Sequence, residues 1–305
     1  MPRTPLKLAV VASALSSDPR TAPRIARESG FSGLVLNAFS ANLNFPDLSA
    51  TGRREIRHLL SADEQQLVAL QVPLGPKGLG TEADVDQILS RFRKVIEAAR
   101  DLGALCVCVD LGPLPPPEQS RKPKPPVSPQ QAGLIILPPS MGEVEGAESP
   151  EPTPLSQADR AFLEHVDTAM AELCSLADRT SMTIACSSSL ASFASLERTL
   201  LATRCPWIGV DLDPVAILRD EQDVDEIFSN LGGLIRHVRG RDATKGADRR
   251  TVPAVIGRGS TNWEQFLNHL DGAGYHGWIT IDPMELQDRQ SAAIAGLKKV
   301  RSFSL

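Results

Sequence analysis

Several absences narrow what this 305-residue chain does. It has no basic excess: the formal net charge is -5 and the pI about 5.6. That argues against a general nucleic-acid binder, whose whole domain carries cationic charge to meet phosphate. It has no bilayer-length opening segment. The apolar stretch LKLAVVASAL at residues 6–15 is too short to cross a membrane. With only Arg3 and Lys7 flanking it, the stretch reads as a buried first strand rather than a signal peptide. There is no C-x-x-C pairing among the five cysteines at 106, 108, 174, 186 and 205, and their odd number suits reduced thiols in a cytoplasm. Cys106 and Cys108 share one face of an apolar strand and read as core. No G-x-G-x-x-G follows the first strand, where a dinucleotide fold carries it, and no G-x-S-x-G serine elbow occurs. Serine-based hydrolysis therefore has no support, and SSSLAS at 187–192 reads as the start of a serine-capped helix.

What is present is a strict alternation. Short apolar runs at 7–12, 33–37, 67–72, 104–110, 182–187, 208–213, 234–239 and 278–282 are each followed by a helical pattern. The helical stretches cover 19–29, 49–61, 83–102, 156–179, 190–203, 221–231, 262–272 and 287–301. Eight βα units imply an all-parallel sheet, and eight close naturally into a single (β/α)8 TIM barrel spanning 1–305. One segment breaks the rhythm: residues 113–154 hold 13 of the 24 prolines. Proline removes a backbone donor and fixes φ, so this stretch is neither helix nor central strand. It is expected to be a proline-rich insertion over 113–155, in the loop after strand four. Deleting Pro117 to Pro152 is expected to lower the melting temperature by less than roughly 8 °C.

The order HVRGRDA at 237–243, IGRGSTNWEQFLNHLDGAGYHGWITID at 256–282 and RIARESGFSGLVLN at 24–37 resembles the xylose-isomerase-like barrels, the sugar phosphate isomerase/epimerase family. In that family an H-V-H-x-K-D strand precedes a G-x-G-x-x-[DN]-W helix start and then a G-Y-x-G-x-x-x-[ED] strand. The resemblance implies one divalent metal (Mg, Mn or Zn) at the barrel mouth, held by a glutamate, an aspartate, a histidine and a second glutamate. Here those positions fall on Ser187, Asp213, Arg239 and Asp282. Only Asp213 and Asp282 remain as candidate metal ligands, and a weakly held ion is all they support, because a guanidinium offers donors and no lone pair. His58, His165, His269 and His276 fall on helices or in a turn, which disfavours the histidine-rich multi-zinc cluster of the endonuclease branch.

Side chains alternate along a strand, so His237, Arg239 and Arg241 share one face, inward by the family register, with Asp211, Asp213, Thr280 and Asp282 beside them. Two roles remain open for this mixture of charge. One is an internal ion-pair network that only holds the strands. The other is a site in which Asp213, Arg239 and Asp282 are catalytic while His237, Arg241, Ser187, Asp110 and Arg258 contact substrate, with Arg239 facing an open mouth. Seven basic residues against two acidic ones over 236–258 favour an anionic ligand. So does GRGSTNWE at 257–264, where Thr261 and Glu264 form an expected capping box with free amides. The expected function is a sugar or sugar-phosphate isomerase/epimerase-like protein, soluble and cytoplasmic, with a small-molecule sugar as partner and neither nucleic acid nor membrane. The alternative is a catalytically silent barrel that binds carbohydrate or protein.

Overall fold

The computed structural model describes residues 6–40, 42–117, 155–246 and 250–303. The insertion expected over 113–155 lies outside the described residues except for 113–117 and Leu155; of these, Leu114 and Pro115 are buried. The strands are β1 (Lys7–Val11), β2 (Gly33–Asn37), β3 (Phe39–Ser40), β4 (Leu43–Asn44), β5 (Gln66–Pro73) and β6 (Cys106–Asp110). Then come β7 (Thr183–Ser187), β8 (Ile208–Leu212), β9 (Ile235–Gly240), β10 (Asp242–Lys245), β11 (Thr251–Ala254) and β12 (Trp278–Ile281). Eight of them close a parallel barrel in the order β1-β12-β9-β8-β7-β6-β5-β2. The remaining four form two antiparallel hairpins, β3–β4 and β10–β11, in loops at the C-terminal end of the barrel. Neither hairpin has a sequence signal stronger than a two- or four-residue run.

The helices are α1 (Ala22–Glu28), α2 (Ala50–Ala62), α3 (Val85–Leu102), α4 (Gln157–Thr180), α5 (Phe193–Thr203), α6 (Pro214–Arg219), α7 (Val224–Leu231), α8 (Trp263–Gly272) and α9 (Arg289–Ser302). Side-chain caps define most of their starts. Ser49, Asp84, Ser156, Ser192, Asp213, Asp223, Asn262 and Asp288 each accept a backbone N–H from the first turn they precede, satisfying donors that a helix leaves orphaned. Short α6 was not expected; Pro214 at its first position pre-sets φ and Asp213 caps it. The α8 cap is Asn262, not Thr261.

Inside the barrel the residues are small: Ala9, Val35, Ala69, Cys106, Cys108 and Ala185 form one buried cluster against Trp278. Small side chains on the first four barrel strands and β7 leave volume for the long ones of β9 and β12. Gly33 is a case in point, because a Cβ there would run into the Trp278 ring. Larger apolar strand side chains pack outward against the helices, whose Trp263, Phe92, Ile96 and Met170 are among the most fully buried side chains. No described helix is long and apolar enough to cross a membrane.

Candidate functional site at the barrel mouth

The parallel register brings the C-terminal ends of the barrel strands level. Asn37 pairs with Gln71, Asp110 with Ser187, and Thr280 with Arg239. The inward residues therefore stack in layers beneath the mouth. In the layer below it, the His237 ring lies between Asp211 and Thr280, 2.7 Å from Asp211 Oδ1 through Nδ1 and 2.7 Å from Thr280 Oγ1 through Nε2. Above it, Arg239 donates from Nη2 to Asp211 Oδ2 at 2.6 Å and to Ser187 Oγ at 3.5 Å, with Nε 4.0 Å from Asp282. At the rim Arg241 donates to Asp213 Oδ2 at 2.9 Å and pairs with Glu285 at 2.7 Å.

The network sets the protonation of its members. Burial alone pushes the Asp211 carboxyl up, but the adjacent Arg239 guanidinium and His237 ring outweigh it and hold the group below the ordinary carboxylate range. Burial works against a charged His237, yet the Asp211 carboxylate and the ring's hydrogen bonds to Asp211 and Cys108 win, raising the ring to about 10. Asp213 goes the other way. Desolvation lifts its carboxyl above the ordinary value despite Arg241, Arg239 and the amide of Val215.

Above this layer opens a cavity of about 380 Å³, within the range of small-molecule sites. Five of the eight expected site residues line it: Asp110, Ser187, Asp213, Arg239 and Arg241. The other three do not. His237 is buried beneath the floor, Asp282 lines an adjoining narrow cleft, and Arg258 is exposed on the loop outside. Arg219 and Glu285 also line the cavity and were not expected from the sequence. Arg219 sits on the unforeseen α6, and Glu285 follows the last strand without a motif. Arg219 donates two hydrogen bonds to the Asp220 carboxylate and others to the carbonyls of Ser189 and Ala191, fixing the loop between β7 and α5.

Two expectations are corrected here. Arg239 does not stand open to solvent: its side chain is 14% exposed and paired with Asp211. The amides of the GRGSTNW loop are not free for an anion either. They hold the chain's own carboxylate, because Asp242 accepts from the backbone N–H of Gly257, Gly259 and Thr261 and from the Trp263 indole, at 2.8–3.2 Å. The basic count over 236–258 is likewise dispersed. Arg236 donates to the carbonyls of Gly233 and Pro206, and Lys245 pairs with Glu221. Among the described basic residues of that segment, Arg239 and Arg241 reach the cavity, which carries four carboxylates (Asp110, Asp211, Asp213, Glu285) against three guanidiniums.

A family model described as xylose isomerase-like TIM barrel matches residues 23–302. No curated protein sequence matches the chain. Solved structures do. A xylose isomerase domain protein from Planctomyces limnophilus aligns with TM-score 0.70 at 14% identity, covering 99% of this chain and 98% of that one. D-psicose 3-epimerase from Clostridium cellulolyticum, solved with D-tagatose, aligns with TM-score 0.69 at 12% identity over 97% and 99%. The IolI protein with a bound zinc atom aligns with TM-score 0.68 at 12% identity over 98% of each chain.

The residues at the metal positions implied by the sequence resemblance do not fit a divalent ion. The histidine position is the Arg239 guanidinium, a permanent cation reaching Ser187 Oγ and approaching Asp282. Both Asp213 oxygens are engaged, one by the Val215 amide and one by Arg241. One layer lower, Cys108, Asp211 and His237 each offer a ligand atom, and these atoms lie within 4.8 Å of one another.

Proposed function

The chain belongs to the xylose isomerase-like TIM-barrel family, and from that premise we propose that its mouth binds a sugar or closely related polyol and moves a proton on the carbon next to its carbonyl. The observation that carries this reading is the cavity wall, which sets carboxylates and guanidiniums beside a hydroxyl: Asp110, Asp213 and Glu285, Arg239 and Arg241, and Ser187. Such a wall matches a row of hydroxyls, each both donor and acceptor. It matches a phosphate less well, since each guanidinium already has a carboxylate and the cavity's formal balance is one negative charge. An unphosphorylated ligand is therefore favoured over the sugar phosphate suggested by the residue count.

Asp213 is the proton acceptor in this reading. Its raised carboxyl brings it closer to neutral pH than an ordinary aspartate, which is what a general base requires. The fixed Arg239 guanidinium supplies N–H donors where charge develops on the substrate oxygen. Asp211 and His237 keep that guanidinium in place, and Asp282 serves from the neighbouring cleft as the second carboxylate. The complete pairing of the arginines also supports a second reading, a silent barrel that binds the same ligand without chemistry.

Isothermal calorimetry against neutral ketoses, aldoses and cyclic polyols, with their phosphate esters in parallel, tests the ligand class. Binding of a neutral member is expected, and Arg241→Ala should weaken it by about tenfold, the scale of one hydrogen bond to a charged group. Binding confined to the phosphate esters would reject the reading.

A further inference from the structure

Beneath the mouth three side chains converge that the proposed chemistry does not use as ligands, and we propose that Cys108 on β6, Asp211 on β8 and His237 on β9 form a binding site for one thiophilic divalent cation, of the zinc class, inside the barrel. The site lies below the positions the family resemblance points to and shares no residue with them. Its donor set is one thiolate, one imidazole and one carboxylate, which suits zinc-like ions. All three residues are buried, their ligand atoms lie within 4.8 Å of one another, and they converge from three strands. An ion held at about 2.0–2.3 Å from each atom sets the ligand atoms about 3.3–3.7 Å apart, so the closest pair opens and the wider separations close, shifts that side-chain rotation supplies.

The surroundings match what metal ligands need. A ligating histidine is oriented by a partner on its other nitrogen, and a ligating carboxylate by a donor on its other oxygen. Here Thr280 Oγ1 lies 2.7 Å from His237 Nε2, leaving Nδ1 for the ion, and Arg239 donates to Asp211 Oδ2 at 2.6 Å, leaving Oδ1. The contact an ion must open is the 2.7 Å His237 Nδ1 to Asp211 Oδ1 pair, which now shares a proton.

The charges balance. Entry of M²⁺ expels two protons, one from the Cys108 thiol and one from Nδ1 of the His237 imidazolium. The sulfur and nitrogen lone pairs then bind the ion, nothing is oxidised, and the net charge of the buried layer does not change. Arg239 therefore meets no added positive charge in total. Asp211 borders the mouth cavity although its side chain is fully buried beneath Arg239, and a water from that side completes four-coordination. The inference does not depend on what the mouth binds.

The test is a cobalt(II) titration of the full chain after treatment with chelator, read by absorbance and by proton release in weak buffer. Expected are one equivalent of cobalt, a thiolate-to-cobalt charge-transfer band in the near ultraviolet, and two protons released per ion. Cys108→Ser should abolish the band and weaken binding at least about tenfold, whereas Cys174→Ser and Asp213→Asn should leave it intact. Should Cys108→Ser fail to fold, X-ray absorption at the cobalt edge of the unsubstituted protein decides by the presence or absence of a sulfur ligand. Cobalt that fails to bind, that binds without the band or without sulfur, or that is lost in Asp213→Asn overturns the proposal.

Discussion

At the level of single residues, Arg239 decides between ligand binding and scaffolding. Its guanidinium is buried against Asp211, so Arg239→Ala leaves a fully buried carboxylate without its main counter-charge. Chemical denaturation should show a loss of about 3–5 kcal/mol; a loss under about 1 kcal/mol would mean the pair adds nothing. His237 gives a pH signature. Its folded value of about 10 lies above the ordinary 6.5, so the native state holds the proton more tightly. The stability this confers is fully present below pH 6.5 and drains away as pH rises through about 10. His237→Gln should flatten that decline; an unchanged slope would show that the ring is not the titrating group. Alternation along the strands made the inward faces of β8, β9 and β12 legible in the sequence. Which aspartate meets which arginine was not, because a register shift between Val210 and Asp211 sets Asp211 level with His237, and no sequence pattern marks a bulge.

At the level of elements, the loop from β11 to α8 is organised by Asp242. Its carboxylate gathers three backbone amides of that loop and the Trp263 indole, besides the amide of Ala243, and a Cβ at Gly259 would collide with Asp242 Oδ1. Asp242→Ala strands those donors together, and unfolding should show a loss of at least about 3 kcal/mol, since each buried unpaired donor costs about 1–3 kcal/mol. A change within about 0.5 kcal/mol would mean that water replaces the carboxylate freely. The glycines of this loop were visible in the sequence as places of close backbone approach. That the approaching group is the chain's own Asp242 was not, because the aspartate stands 15 residues or more from the loop amides it holds. The α8 cap was misplaced by one residue for a related reason. Thr261 and Asn262 are both good caps, and the Thr261 amide goes to Asp242, leaving its Oγ1 buried without a partner.

At the level of the whole molecule, eight apolar runs separated by helical patterns were enough for the barrel, and they placed Asp110, Ser187, Asp213, Arg239 and Arg241 around one cavity. The sign of that cavity was not readable from the chain, because charge counted along a segment says nothing of which side chains a hairpin carries outward. The β10–β11 hairpin takes Lys245 to Glu221 and leaves Arg250 exposed. The result is a mouth with cations fixed in place by carboxylates and one raised carboxyl, Asp213, that suits proton transfer. Solvent-deuterium exchange tests the proposed transfer most directly: the protein is incubated in D2O with each neutral sugar that binds it, and the carbon next to the carbonyl is followed by proton NMR. Time-dependent loss of that proton signal is expected with the unsubstituted protein, together with at least a hundredfold slower loss in Asp213→Asn, the scale of one general base. A bound sugar whose proton never exchanges, or exchange that survives Asp213→Asn unchanged, would contradict the account.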